Sequence, residues 1–143
     1  MNATISTSLV YRDAPRAIDW LCNAFSFARH AVYPDAKGGI AHAELTYGNG
    51  MVMVSSWYGA NDPWGKLVAP PEASRANTAS INVIVADADE HHARAVKAGA
   101  TIVQALEDKS YGGRGYGARD LEGHIWSFGE YDPWAVKIGV GKS

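Results

Sequence analysis

Two short stretches of the chain, positions 5–11 and 80–85, alternate between apolar and polar residues. Alternation with a period of two predicts a β-strand that has one buried face. An aspartate follows each stretch, Asp13 in the first case and Asp87 in the second, at the place where a helix N-cap is expected. Each predicted strand therefore leads into a predicted helix.

The first helix is predicted from Ile18, Leu21, Cys22 and Phe25, which repeat at the spacing of one helical face. The second helix has a weaker apolar stripe. We expect it to run from about residue 89 to residue 98 and to end at Gly99, because glycine favours the turn that closes a helix.

A hairpin is predicted near the end of each half. The first pairs 40–47 with 51–57 around Gly48-Asn49-Gly50, a sequence typical of tight turns. The second pairs 114–120 with 124–130 around residues 121–123. With one further strand between helix and hairpin, each half has the order βαβββ.

The two halves also repeat in sequence, because a shift of 74 positions places Asp13 on Asp87 and Gly39 on Gly113. We therefore predict an α+β fold, built as one domain over 1–143 from two tandem βαβββ modules. Module one covers about 3–57, a linker rich in Pro, Gly, Ala and Asn covers 58–77, and module two covers about 78–133. Residues 133–142, near the end of the chain, are expected to extend an edge strand or to contact a partner.

Composition and charge exclude several functional classes. Thirteen basic and fifteen acidic residues give a net charge of −2 and a pI near 6.2, so we expect no nucleic-acid partner. The apolar runs are far shorter than the roughly 20 residues that span a bilayer, so no membrane partner is expected. One cysteine excludes an internal disulfide, and no secretory signal is apparent. These features together predict a cytoplasmic location.

Several segments carry a resemblance to a known family. They are Tyr11–Ala14, Asn23–Phe27, His42–Leu45, Asp87–Asp89, Ala98–Ala100 and the hairpin Asp120–Trp126, in which Leu121 replaces the proline of the family's Asp-Pro-x-Gly turn. From about Ala3 to Pro133 the chain resembles the vicinal oxygen chelate superfamily, the group of glyoxalase I, bleomycin-resistance proteins and extradiol dioxygenases. The resemblance implies that the modules form a curled mixed sheet around a cleft, with helices on the convex side.

Strand alternation then predicts which side chains face the cleft. We expect Ala43, Leu45, Tyr116, Ala118, Trp126 and Phe128 to face the helices. The cleft-facing set on the hairpins is His42, Glu44, Val52, Val54, Gly115, Gly117, Arg119, Ile125 and Ser127. On the first strand of each half, Ser6, Ser8, Ser80 and Asn82 should face the cleft.

The resemblance also implies where a divalent metal would be held, on the first strand and the last hairpin strand of each half. The matching positions, within one or two residues, are Ser6, Val54, Ser80 and Ser127, and none is a preferred metal ligand. We therefore predict no cofactor. The alternative is Zn, Fe, Mn or Ni held by displaced ligands.

His42 and Glu44 are the candidate catalytic pair, because residues two apart on a strand share a face. They are suited to acid–base catalysis or to fixing a polar ligand. The alternative is structural: an ion pair of Glu44 with Arg119 or Arg114, and a hydrogen-bonded His42. The other four histidines, at positions 30, 91, 92 and 124, are expected to be solvated or to cap structure.

Aromatic residues supply the second candidate signal, because Trp57 and Trp64 lie in or beside the linker and Tyr111 lies in a loop. Aromatic faces over a cleft bind planar molecules. The alternative is that these aromatic residues close the ends of the core or form a dimer contact. The predicted ligand-binding set is Ser6, Ser8, Trp57, Trp64, Ser80, Asn82, Tyr111, Arg114, Arg119 and Ser127.

The sequence therefore favours a metal-independent protein that binds a planar polar small molecule, as the bleomycin-resistance members do, and that forms a homodimer. The alternative is a glyoxalase-like lyase, isomerase or dioxygenase that uses His42 and Glu44 as acid and base or as displaced metal ligands. A scaffold protein with a partly filled cleft is the third possibility.

Overall fold

A computed structural model of the chain describes residues 2–135. The prediction for 133–142 lies mostly outside this range. Within it the elements are β1 (Thr7–Tyr11), α1 (Ala14–Phe25), β2 (Ala28–Pro34), β3 (Ile40–Tyr47), β4 (Gly50–Ser56), β5 (Ile81–Ile84), α2 (Ala88–Lys97), β6 (Thr101–Asp108), β7 (Arg114–Arg119) and β8 (Ile125–Gly129). Two βαβββ modules follow one another, as predicted, and the fold is α+β.

Both helices begin at the predicted aspartates. The Asp13 side chain accepts a hydrogen bond from the backbone N–H of Arg16 at 3.2 Å, and the Asp87 side chain accepts one from Glu90 at 3.1 Å. Each carboxylate satisfies a backbone donor that the first helical turn leaves free. In the described part of the chain, neither helix is long and apolar enough to cross a membrane.

The strands form two separate four-stranded mixed sheets, with orders β1-β4-β3-β2 and β5-β8-β7-β6. In each sheet the first strand of the module runs parallel to the last, and the remaining pairs are antiparallel. The shift of 74 positions places the first residue of β1 on that of β5, and the first residue of α1 on that of α2. The sheets are not closed, so β1 and β5 are both edge strands.

One contiguous apolar core joins the two modules. Phe25, at the end of α1, packs against Trp126 and Phe128 of β8, with ring centroids 5.4 and 4.6 Å apart. The six side chains predicted to face the helices are all buried, which confirms that alternation: Ala43, Leu45, Tyr116, Ala118, Trp126 and Phe128. Because the helix-side faces of both sheets share this core, their opposite faces turn outward.

The predicted faces of β4 are wrong. Val52 and Val54 are buried in the core, at 4% and 1% exposure, rather than facing the cleft. In the antiparallel β3–β4 pair, Val54 lies opposite Ala43 and Val52 lies opposite Leu45. Opposite residues share a face of the sheet, so the valines point toward the helices with their partners.

Asp120 connects the second hairpin to the first module. Its Oδ2 accepts hydrogen bonds from the Tyr11 hydroxyl at 2.6 Å and from Trp126 Nε1 at 3.1 Å. Its Oδ1 accepts from the backbone N–H groups of Glu122 and His124, both at 3.0 Å. This carboxylate is 5% exposed, and hydrogen bonds to both oxygens compensate for its burial.

Two of the four histidines expected to be solvated or to cap structure are buried and bind backbone carbonyls. His124 is 8% exposed, and its Nε2 donates to the Val10 carbonyl at 3.0 Å. His91 is 5% exposed, and its Nε2 donates to the Phe25 carbonyl at 3.0 Å. The other nitrogen of His91 then accepts from the Tyr116 hydroxyl at 2.5 Å, and burial lowers the pKa of His91 from its ordinary value.

Replacing Asp120 with asparagine should lower the free energy of unfolding by about 1–3 kcal/mol. The amide would turn its NH2 donor toward the donors of Tyr11 and Trp126 or toward those of the turn, leaving buried groups unpaired. Thermal and urea unfolding measure the loss. The control is Asp87→Asn, which keeps a good helix cap and should cost little. Equal losses in both variants would contradict this role of Asp120.

The lowered pKa of His91 predicts a pH dependence of stability. Below about pH 6.5 the unfolded chain binds a proton at His91 that the folded chain does not, so stability is full above this pH and falls toward the lowered pKa. His91→Gln keeps one donor and one acceptor but does not titrate. Its free energy of unfolding should therefore fall less between about pH 7 and about pH 5.

Urea unfolding at a series of pH values measures this difference. His92→Gln, at the neighbouring half-buried position, is the control and should keep the pH dependence of the wild type. If both variants lose stability with pH as steeply as the wild type, His91 is not the responsible group.

Candidate functional site

A hollow lies on the outward face of the first sheet. We call it the first hollow; it has a volume of about 250 Å³ and its lining includes Ser8, His42, Met53, Ser55, Trp64 and Val68. Ser8 of β1 lies beside Met53 of β4 in the parallel pair, and Trp64 comes from the linker. Two predicted binding residues, Ser8 and Trp64, and one predicted catalytic residue, His42, therefore lie together here.

His42 and Glu44 contact each other on the outward face of β3. Nε2 of His42 lies 2.9 Å from Oε2 of Glu44. The alternative ion pairs of Glu44 with Arg114 or Arg119 are wrong, because Arg114 pairs with Asp89 and Asp108 instead and the carboxylate faces histidines. The second histidine is His30, whose Nε2 lies 4.0 Å from Oε1 of Glu44.

Sequence alternation did not identify His30, because a β-bulge changes the direction of its side chain. In the β2–β3 pair, Arg29 lies opposite Leu45 and Ala31 lies opposite Glu44, so His30 is the extra residue between them. An inserted residue breaks the alternation of faces in its strand. The predicted solvation of His30 is confirmed, since its side chain is 61% exposed.

The linker forms a wall beside the first hollow. Nε1 of Trp57 donates to the Gly65 carbonyl at 2.8 Å, and the Arg12 guanidinium lies 5.6 Å from the centroid of the Trp57 ring. The Asp62 carboxylate accepts from the backbone N–H groups of Trp64 and Gly65. Trp57 therefore holds the linker in place, whereas Trp64 is 57% exposed toward the hollow.

A second hollow lies on the outward face of the second sheet, with a volume of about 280 Å³. Its lining includes Asn82, Lys109, Tyr111, Arg114, Gly129 and Tyr131. The rings of Tyr111 and Tyr131 meet edge to face, with centroids 5.2 Å apart. Three predicted binding residues, Asn82, Tyr111 and Arg114, are together here; the sequence reasoning missed Lys109 and Tyr131, which flank the strands.

The two cations of the second hollow are already paired. Arg114 forms ion pairs of 3.1 Å with both Asp108 and Asp89, and the hydrogen bond to Asp108 contributes most to raising its pKa. Nζ of Lys109 lies 3.2 Å from Glu107. Because acidic partners balance these charges, the hollow suits a polar ligand better than a strongly anionic one.

The remaining predicted residues do not join these two groups. Arg119 lines a separate groove of about 690 Å³, together with Arg12, Asn77 and Glu122. Ser127 lies beside Asn82 in the β5–β8 pair. Ser6 and Ser80 precede β1 and β5, two residues before Ser8 and Asn82, and so continue the same faces.

The strands that match the family's ligand strands, β1, β4, β5 and β8, do not offer the donors that the family's divalent metal needs. On β1 and β4 they present Ser8, Met53 and Ser55, and on β5 and β8 they present Asn82 and Ser127. A tight site requires converging imidazole, carboxylate or thiolate groups. Because Val54 faces the core, the outward residues of β4 near this position are Met53 and Ser55, and neither supplies such a group. These positions therefore do not fit the metal.

The two βαβββ modules with their outward hollows have the architecture that the sequence resemblance implied. Comparison with known proteins leads to the same family. The chain belongs to the Glyoxalase/Bleomycin resistance protein/Dioxygenase superfamily, whose sequence model matches residues 4–128.

Individual relatives support the same assignment. The uncharacterized protein Mb0911c of Mycobacterium bovis is 33% identical over 130 residues, which cover 91% of this chain and 84% of that protein. TioX from Micromonospora sp. ML1 is 38% identical, with a TM-score of 0.68 over 92% of this chain and all of TioX. A glyoxalase-related enzyme from Fulvimarina pelagi, 17% identical with a TM-score of 0.65 over 90% of this chain and 88% of its own, shares the fold.

Proposed function

We propose that this protein binds a planar, polar small molecule between the first and second hollows, without a metal at the family's ligand positions. The observation that carries the proposal is the donor set on the outward faces of β1, β4, β5 and β8, which has serine, methionine and asparagine where the family's metal would need imidazole or carboxylate. Binding a planar molecule requires only shape, aromatic faces and a few hydrogen bonds.

The side chains in the two hollows support this ligand class. Trp64 in the first hollow and Tyr111 in the second are exposed aromatic residues, at 57% and 63%. Asn82 and the serines of β1 and β8 supply neutral donors and acceptors. An aromatic residue over a planar ligand contributes roughly 0.5–1.5 kcal/mol beyond the area that it buries.

We further propose that the protein acts as a homodimer in which the first hollow of one copy faces the second hollow of the other. The argument is geometric: both hollows lie on faces turned away from the shared core, so one chain alone leaves each of them open. Exposed apolar residues, Ile5, Ile84 and Trp134, line a groove of about 460 Å³ beside edge strands β1 and β5. A cytoplasmic location stays a prediction.

A second candidate function is acid–base catalysis in the same cleft. It is favoured by the 2.9 Å contact between His42 Nε2 and Glu44 Oε2 beside the first hollow. In that case a glyoxalase-like lyase, isomerase or dioxygenase reaction would take place on a bound substrate, with the pair moving a proton.

Binding is tested by tryptophan fluorescence with a panel of planar aromatic carboxylates and phenols. A ligand that quenches the wild type should bind Trp64→Ala about two- to tenfold more weakly, because one aromatic face is lost. The control is Val96→Ala, which shortens an exposed apolar side chain on α2 that lines neither hollow. Equal affinity of both variants would contradict the proposed site.

Mass spectrometry of the recovered ligand separates binding from catalysis. The binding function predicts an unchanged ligand. Conversion that Glu44→Gln abolishes, with ligand affinity retained, would replace the binding function with the acid–base function.

The shared cleft is tested by mixing two variant homodimers, each with one weakened hollow. Light scattering should first give twice the 15.3 kDa chain mass. Trp64→Ala and Tyr111→Ala each weaken every site, but a mixed dimer places both changes in one cleft and leaves the other intact. Exchange between equal amounts of the two variants makes about half of the dimers mixed, so about a quarter of all clefts should regain the wild-type affinity. No restoration after subunit exchange would show that each cleft forms within one chain.

A further inference from the structure

We propose that His30, His42 and Glu44 bind a first-row transition-metal dication, with Zn²⁺ as its simplest representative, on the outward face of strands β2 and β3. This site is separate from the strands that hold the family's metal, and it does not depend on the proposed ligand-binding function. The site can therefore be tested with the metal ion alone.

The spacing of two of the three groups already suits a metal. Ligand atoms that each lie about 2.0–2.2 Å from one tetrahedral Zn²⁺ are about 3.3–3.6 Å apart, which a small widening of the His42–Glu44 contact would reach. His42 Nε2 and Glu44 Oε2 are 2.9 Å apart. His30 Nε2 is 4.0 Å from Oε1 of the same carboxylate, so the His30 side chain must move closer before the three groups can share one ion.

The surroundings of the three side chains allow this approach. His30, His42 and Glu44 are 61%, 41% and 25% exposed, so rotation of the His30 ring meets no packed core. The β-bulge in β2 leaves His30 unpaired in the ladder, with its side chain near Glu44, and the Tyr33 ring stacks on His42 with centroids 6.1 Å apart. Stacking therefore restrains the His42 ring, whereas the His30 ring remains free to move toward Glu44.

The donor types select the class of ion. Two imidazoles and one carboxylate suit Zn²⁺, Cu²⁺, Ni²⁺ or Fe²⁺ and leave at least one coordination position for water. Ca²⁺ and Mg²⁺ require mostly oxygen ligands. Because His42 also lines the first hollow, the open position would lie beside the proposed ligand cleft.

A competing group of carboxylates is already engaged in the fold. Carboxylate oxygens of Asp87, Asp89 and Glu130 lie within 4.8 Å of one another. However, Asp87 caps α2, Asp89 pairs with Arg114, and Glu130 accepts hydrogen bonds from the backbone N–H groups of Ala88 and Arg114. Metal binding there would have to displace these contacts.

The test is isothermal titration of ZnCl₂ into the untagged full chain. We expect one ion per chain, with a Kd of about 10 µM or lower, and a Kd at least tenfold higher in each of His30→Ala, His42→Ala and Glu44→Gln, because three ligands bind much more tightly than two. His92→Ala and Asp87→Asn are the controls and should bind like the wild type. Circular dichroism should show that every variant is folded.

Four results would overturn the proposal: no saturable binding up to about 1 mM Zn²⁺, affinity unchanged in His30→Ala, affinity unchanged in Glu44→Gln, or affinity lost in Asp87→Asn. A second readout uses Co²⁺. Visible absorption of the Co²⁺ complex that disappears in both histidine variants would support imidazole ligation, and absorption that persists in them would contradict it.

Discussion

The hydrogen bonds of Asp120 tie the two modules together. This one carboxylate holds the Tyr11 hydroxyl of the first module and the Trp126 indole of the second while it closes the hairpin turn. The next carboxylate, Glu122, accepts from the backbone N–H groups of Arg12 and Asp13 at the start of α1. Since β1 and α1 are both hydrogen-bonded to the second hairpin, these contacts of Asp120 and Glu122 determine how each hollow is oriented relative to the core.

Most of the fold could be predicted because local signals agreed with one another. The capping aspartates, the glycine turns and the repeat all indicate two βαβββ modules. The error at Val52 and Val54 has a physical cause: Met51–Val54 is apolar throughout, so alternation carries no information about its faces. Pairing with β3 determines them instead, and a register shift of one residue would reverse every side chain.

The candidate site was less predictable than the fold, because its members meet through irregular structure and long-range contacts. His30 reaches Glu44 through a bulge, and Tyr131 reaches Tyr111 across a loop. His91 is buried because the Phe25 carbonyl and the Tyr116 hydroxyl satisfy both of its nitrogens, and these partners are remote in sequence. Charge and periodicity describe neighbours along the chain, whereas such contacts depend on the completed fold.

The linker wall is stabilised largely by hydrogen bonds between its own residues. Trp57 donates to Gly65, and Asp62 accepts from Trp64 and Gly65, so the segment that presents the Trp64 ring needs little from the strands beneath it. Substitutions in such a loop leave the core packing unchanged. Substitutions in this segment can therefore change the lining of the first hollow while the sheets and the hydrogen bonds of Asp120 stay as they are.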